Sequence, residues 1–213
     1  MESRTINPWD KMIKNPPEGI REYLVKEKEF LTKNITKNDM VLEIGCGTGR
    51  TVEILSKISR RVIAIDNDEE AVKKAKQKTK LLDNVEIILE DGEKTNFDDK
   101  TFDAVFIGMT FPNFDKTRDK ILHEIRRTLK DKGVLLFSAY NENSLSERLL
   151  NYETHDKGNY EVKENGRIEF NFGAVSEQFS KEQIIDILEN NKLKPLEIVK
   201  LKTTYLVKAS KFS

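Results

Sequence analysis

Val41-Leu42-Glu43-Ile44-Gly45-Cys46-Gly47-Thr48-Gly49-Arg50 is an apolar run ending in three glycines at alternate positions, and Val52, Ile54, Leu55 and Ile58 continue it at helical spacing. That order reads as a buried strand, a tight turn and a helix. Glycine has no Cβ and tolerates φ > 0, so such a turn lets the backbone approach a ligand closely. The helix behind it offers unpaired N–H groups and the positive end of its dipole. The stretch therefore reads as a loop that holds a nucleotide-like cofactor.

Outward from this loop the same unit repeats. Arg61-Val62-Ile63-Ala64-Ile65-Asp66 is a second apolar run closing on an acid. A helix is predicted over 68–82, opened by Asp68, Glu69 and Glu70, with Ala71, Val72, Ala75 and Leu82 on its apolar face. A strand over 84–90 ends at Asp91-Gly92, and another covers 102–108. A helix over 116–130 carries Ile121, Leu122, Ile125 and Leu129; Asp131-Lys132-Gly133 reads as its stop, before a strand over 134–139. Alternating helices and uniformly apolar strands predict a parallel sheet covered on both faces.

Upstream, Pro8, Pro16 and Pro17 break a polar segment that contains Trp9, a residue that packs on the surface or belongs to a lid. Tyr23, Leu24, Phe30 and Leu31 predict a helix over 18–33. Downstream, 141–159 is polar, with a short helix at 144–150. Alternating residues on both sides of Asn165-Gly166 predict a hairpin. Ser180-Lys181-Glu182-Gln183 has the spacing of a capping box opening a helix. Two final β runs, 195–201 and 203–209, lie too close in sequence to pair other than antiparallel.

The 213 residues fit one domain over 1–213. It divides into an N-terminal lid and helix (1–37), a cofactor-binding core (38–140), a substrate-side insertion (141–179) and a closing helix and β-hairpin (180–213). Lys plus Arg and Asp plus Glu are both 37, so no global basic field invites nucleic acid, which is not an expected partner. The one cysteine, Cys46, allows no intrachain disulfide and reads as a small loop residue. No apolar run approaches the ~20 residues of a bilayer span, and no signal peptide is visible. The expected location is the cytoplasm, with no membrane partner and no metal.

Two cofactor classes use a strand, a glycine turn and a helix followed by an acid on the next strand. Nicotinamide and flavin dinucleotide loops carry G-x-G-x-x-G. Here the third glycine comes one residue early, at Gly49, and Arg50 stands where that pattern wants glycine. The other class is S-adenosylmethionine. The chain resembles the class I, Rossmann-like methyltransferases. Their acid-x-G-x-G-x-G motif stands as Glu43 to Gly49, their second acid as Asp66 and their third as Asp91-Gly92. Phe102-Asp103-Ala104-Val105 and Leu129 to Leu135 match the fourth strand and the turn into the fifth. The resemblance covers about 38–140. It implies an α/β fold: a doubly wound, mostly parallel seven-stranded sheet in the order 3-2-1-4-5-7-6, helices on both faces, an antiparallel C-terminal strand, and a hairpin inserted after strand 5.

The resemblance also implies roles. Gly45, Cys46, Gly47 and Gly49 pass under the methionine and ribose. Glu43 helps hold the methionine amino group. Asp66 accepts from both ribose hydroxyls, with Asn67 flanking the adenine. Asp91 takes the adenine amino group and Gly92 offers a backbone N–H. Gly108 and Met109, with Thr110, border the reactive sulfur. A sulfonium methyl is already a strong electrophile, so the protein chiefly aligns a nucleophile and excludes water. No strong catalytic constellation is visible. His155 and Tyr140 are the candidate catalytic residues, and His123 reads as structural. No Asn-Pro-Pro-Tyr motif follows the fourth strand, which disfavours amide or base nitrogen acceptors. Acceptor contacts are expected from the N-terminal segment, the 109–114 loop and the 140–179 insertion. Tyr140, Tyr152, Tyr160, Phe170 and Phe172 there either box a substrate or pack the hairpin. The expected activity is in-line methyl transfer to a small-molecule acceptor. The alternatives are a non-catalytic cofactor-binding module of the same fold and an NAD(P)-dependent oxidoreductase.

Overall fold

Strand β1 (Met40–Ile44) lies at the centre, paired parallel with β2 (Arg61–Asp66) on one side and β4 (Phe102–Ile107) on the other. β3 (Val85–Leu89) extends the sheet beyond β2, and β5 (Leu129–Asn141) extends it beyond β4, both parallel. β11 (Thr204–Lys211) runs antiparallel to β5, and β10 (Leu193–Lys200) antiparallel to β11. The order β3-β2-β1-β4-β5-β11-β10 is the expected seven-strand order. The structure is a computed structural model that describes residues 12–13, 15–156 and 158–212, without the side chains of 154–156. Trp9 and most of the expected lid lie outside the described residues.

The strands are apolar throughout because both faces are covered. On one face Leu42, Ile44 and Phe137 pack with Leu122 and Ile125 of α4 (Arg118–Thr128) and with Ile184 and Leu188 of α6 (Lys181–Asn190). On the other, Val41 and Phe106 pack with Tyr23 and Leu31 of α1 (Glu18–Asn34), Leu55 of α2 (Val52–Ile58), and Val72 and Ala75 of α3 (Glu69–Thr79). No helix among the described residues is long and apolar enough to cross a membrane.

Three elements differ from expectation. The run Asp131-Lys132-Gly133 does not end a helix; α4 stops at Thr128 and β5 begins at Leu129. Leu129 pairs with Phe102, and the next pair is Val134 with Ala104, so the polar triplet is accommodated by a register shift within one 13-residue strand. α5 (Leu145–Asp156) is longer than the short helix expected. The insertion is more than a hairpin: β6 (Tyr160–Val162), β7 (Ile168–Phe170) and β8 (Val175–Ser176) form a small antiparallel sheet. Its turn does use Asn165 and Gly166, at φ 58° and 71°. β9 (Gln178–Phe179) then pairs parallel with the end of β5.

The predicted capping box is present at α6. Ser180 Oγ accepts from the Gln183 N–H at 3.2 Å, and Gln183 Oε1 accepts from the Ser180 N–H at 2.7 Å. Ser180→Ala removes one arm of it and should cost about 1 kcal/mol, lowering the melting temperature by ~2–4 °C. Thermal unfolding followed by circular dichroism measures this, and an unchanged midpoint would contradict the cap's contribution.

Candidate active site

The strand order reverses between β1 and β4, and the crevice at their carboxyl ends is where ligands sit in such sheets. The glycine loop closes one side of it. The N–H groups of Gly45 and Cys46 both donate to Ile65 O, at 2.8 and 3.0 Å, fixing the loop over the end of β2. All three glycines have positive φ: 72°, 53° and 80°. Their surroundings differ. A Cβ on Gly45 would meet the Thr110 side chain at 2.5 Å, and Thr110 Oγ1 donates to Gly45 O at 3.0 Å. Gly47 faces open space. A Cβ on Gly49 would stand 3.3 Å from Ala75 Cβ, and Gly49 does not line the crevice. Gly49 thus serves the contact between loop and α3.

The crevice opens into a cavity of about 470 Å³. Glu43, Gly45, Cys46, Gly47, Asp66, Asn67, Asp91, Gly92, Gly108 and Met109 all line it, though they lie on four separate strand ends in the sequence. Asp66 is held from two sides: Gly47 N–H donates to Oδ2 at 2.8 Å and Asp68 N–H to Oδ1 at 3.0 Å. Burial raises the Asp66 pKa, against the pull of these N–H groups. The Asn67 N–H acts on the same carboxylate. Asp91 Oδ1 accepts from Glu93 N–H at 2.9 Å, which holds the turn after β3.

Beneath the loop lies a buried charge cluster. Arg50 forks onto Glu27 of α1, Nη1 to Oε2 at 2.6 Å and Nη2 to Oε1 at 2.9 Å. Glu27 is 0% exposed; the Tyr23 hydroxyl donates to it and also meets Ser138 Oγ at 3.0 Å. Sequence reading missed Glu27. Its signal was an acid four residues after Tyr23 on the apolar stripe of α1. Glu43, 2% exposed, is the second carboxylate near Arg50. Burial pushes its pKa up to about 8, against the opposing pull of Arg50, and Glu43 Oε2 has no hydrogen-bond partner. Cys46 is buried as well, and burial beside Glu43 and Asp66 raises its pKa, so it is held as a neutral thiol.

The far side of the cavity is walled by Asn113, Phe114, Tyr140, Asn151, Tyr152, Phe170, Phe172 and Ser176. Phe170 and Phe172 stack at 5.2 Å, and Tyr152 meets Phe170 edge-on at 5.0 Å. These aromatics line the cavity as well as pack one another. Tyr140 is buried, and burial raises its pKa well above the ordinary value, which keeps its proton on. The His155 side chain lies outside the described residues, and His123 is exposed on α4. No cluster of His, Cys, Asp and Glu that could hold a metal occurs among the described residues.

The electrostatics of Glu43 make a test. Its folded pKa is raised, so its contribution to stability is full below the ordinary value of 4.5 and is lost as pH rises through about 8. Glu43→Gln removes the ionisation. The ligand-free variant should gain melting temperature over wild type progressively between about pH 5 and pH 9, by at least ~3 °C at the top. Parallel pH profiles would show that the Glu43 pKa is the same in the folded and unfolded chain, and so not raised by burial.

Residues 42–137 match the family model described as a methyltransferase domain. An uncharacterized protein of Methanocaldococcus jannaschii is 32% identical over 134 residues, 62% of this chain and 47% of that protein. A probable ribosomal RNA small subunit methyltransferase A of Methanococcus maripaludis is 32% identical over 105 residues, 47% of this chain and 39% of that protein. The chain thus spans about half or less of the length of these curated relatives. The crystal structure of a Burkholderia thailandensis 1,6-didemethyltoxoflavin-N1-methyltransferase, with its acceptor and S-adenosylhomocysteine bound, superposes with a TM-score of 0.70 at 13% identity, covering 96% of this chain and 83% of that one. Residues 42–137 thus match a methyltransferase domain, and the strand order, the glycine loop and the strand-end acids on one cavity wall give the chain the class I, Rossmann-like methyltransferase fold.

Proposed function

We propose that the chain transfers the methyl group of S-adenosylmethionine in line to a small-molecule acceptor enclosed in the cavity. The observation that carries the cofactor half is Glu43 Oε2, a buried carboxylate oxygen with no partner on the cavity wall. An isolated buried acid needs a cation or a donor to be stable as its anion, and the cofactor's ammonium group is such a partner. The Asp66 carboxylate, on the cavity wall at the end of β2, suits a ribose diol. Asp91 and Gly92, at the end of β3, suit the adenine edge. Gly47, open on its Cα side, leaves room for the ligand at the loop. Bound there, the cofactor supplies an electrophilic methyl on a positively charged sulfur. The chain's own part is to hold the acceptor against it, through Met109, Thr110 and the aromatic wall, and to keep water out.

Enclosure supports a small acceptor over RNA. Among the described residues the cavity wall contains no lysine and one arginine, Arg50, already paired with Glu27. RNA acceptors need cationic contacts to phosphates. One relative is nevertheless named as a ribosomal RNA methyltransferase, so RNA is the second reading.

Calorimetric titration with S-adenosylmethionine, S-adenosylhomocysteine and NAD tests the cofactor. The first two should bind and NAD should not; binding of NAD alone would replace this reading with an oxidoreductase. Asp66→Ala should weaken S-adenosylhomocysteine at least ~10-fold, through loss of hydrogen bonds to a charged acceptor. Unchanged affinity would remove Asp66 from the ribose site. Release of S-adenosylhomocysteine in the presence of small-molecule extracts but not of RNA is the expected acceptor result, and the converse would favour the second reading.

A further inference from the structure

The two halves of the cavity differ in charge. Among the described residues, every Asp, Glu and Arg in its wall lies between residues 43 and 93. The described side chains of the acceptor half, from Gly108 to Ser176, are apolar, hydroxyl and amide groups, with Tyr140 and Tyr152 the titratable ones among them. An aromatic wall of this kind suits either a cation or a flat uncharged ring. What lies behind the wall separates the two.

Arg148 of α5 is 2% exposed and stands with its Cζ 5.0 Å from the centroid of the Tyr140 ring. Among the described residues no carboxylate forms an ion pair with it. Its partners are neutral acceptors: Gly166 O at 2.9 Å, Gln178 Oε1 at 3.2 Å, Ser176 Oγ at 3.0 Å and the Ser176 carbonyl. Its Nε has no partner. Glu147 also acts on Tyr140, but less than Arg148 does, and Glu147 Oε1 accepts the Gly19 N–H, at 3.1 Å, at the positive end of α1. The acceptor half therefore sits over a buried cation that has no ion-pair partner among the described residues. That field opposes a cationic ligand.

Hydrogen bonding carries the field into the cavity wall. Ser176 Oγ accepts from Arg148 and also from the Tyr152 hydroxyl, at 3.0 Å. A serine hydroxyl has two acceptor sites and one proton. Both acceptor sites are taken, so Ser176, on the cavity wall, is left as a donor. Tyr152 gives its own proton to Ser176, so its oxygen is free to accept, and Tyr140 is its hydrogen-bonded neighbour. Arg148 thus sets the direction of the chain.

Resting on the methyltransferase reading above, we propose that the acceptor is a planar hydroxylated ring that lies among Tyr140, Tyr152 and Phe170 and reacts as its oxyanion, with the Ser176 hydroxyl as the donor that meets the oxyanion and Arg148 as the residue that positions and polarises it. The ring hydroxyl loses its proton to water. The oxygen lone pair forms the new O–C bond to the methyl carbon as the C–S bond breaks toward sulfur. The negative charge brought by the acceptor cancels the positive charge on sulfur, and a methyl ether and S-adenosylhomocysteine leave.

The test uses the full chain saturated with S-adenosylhomocysteine, 4-nitrophenol as the ionisable probe and benzyltrimethylammonium as the cationic one. The phenolate of the first is read by its absorbance. The bound probe's ionisation midpoint should fall by about one pH unit, a ~10-fold preference for the anion, and the cation should bind more weakly than the phenolate. Ser176→Ala and Arg148→Met should return the midpoint to its free value while S-adenosylhomocysteine still raises the melting temperature. Should Arg148→Met fail to fold, Ser176→Ala decides. An unmoved or raised midpoint, no binding of 4-nitrophenol, tighter binding of the cation, or a shift retained in Ser176→Ala would each overturn the proposal. Failure of S-adenosylhomocysteine to stabilise the wild-type chain would instead overturn the methyltransferase reading on which it rests.

Discussion

One buried guanidinium holds the cofactor side of this protein together. Arg50 follows the last glycine of the loop, yet both of its Nη groups are spent on Glu27 of α1. Forked arginine–carboxylate pairing is strong and directional. Removing one partner of a buried pair typically costs ~3–5 kcal/mol, because the other charge is left bare. The pair therefore ties the N-terminal helix to the turn between β1 and α2. It also fixes the state of Glu43. With Arg50 committed to Glu27, Glu43 receives only part of that charge, and burial drives its pKa up to about 8. The cluster of Arg50, Glu27 and Glu43 has one carboxylate more than its cation, which is the condition under which an incoming ammonium group adds most.

The acceptor side is held by a different network. Arg167 of the insertion reaches Asp115 at 2.8 Å, Glu169 at 2.8 Å and Glu177 at 2.9 Å. Glu177 also pairs with Arg118, whose guanidinium lies 5.0 Å from the Phe179 ring centroid. The Glu177 N–H donates to Pro112 O at 3.0 Å. These links fasten the small sheet to the loop after β4, so Phe170 and Phe172 are placed by ion pairs anchored on the core. Networks of several charges of this kind carry more weight than isolated surface pairs.

What the sequence made legible was what depends on near neighbours. The glycine loop, Asp66, Asp91, the Asn165-Gly166 turn and the Ser180 cap are each set by a few adjacent residues and read correctly as structure. Strand order followed from alternation and from the family pattern. Gly49 looked like its two companions, because spacing alone does not say which way a Cα faces; its neighbour Ala75 is 26 positions on. Asp131-Lys132-Gly133 looked like a stop because polar residues with glycine usually are one, and only the pairing of β5 with β4 reveals a register shift. Glu27 and Arg148 were missed altogether. Each is a charged residue on an otherwise ordinary helix, and the partners that give it meaning lie 23 and 18 to 30 residues away.

The division of charge bears on where catalysis arises. Carboxylates near a positively charged cofactor stabilise it before reaction, and its charge falls as the methyl leaves. Such contacts favour the ground state and give affinity without rate. Rate must then come from the other half, through alignment of the nucleophile and through groups that favour its reactive form. On the proposed reading Arg148 does the second, because it lies behind Tyr140 and donates to Ser176 with no ion-pair partner among the described residues. On the same reading the aromatic wall does the first, by bounding one side of the space the acceptor occupies. Separation of the two charge systems is itself required: a carboxylate close enough to pair with Arg148 would cancel the field at the acceptor.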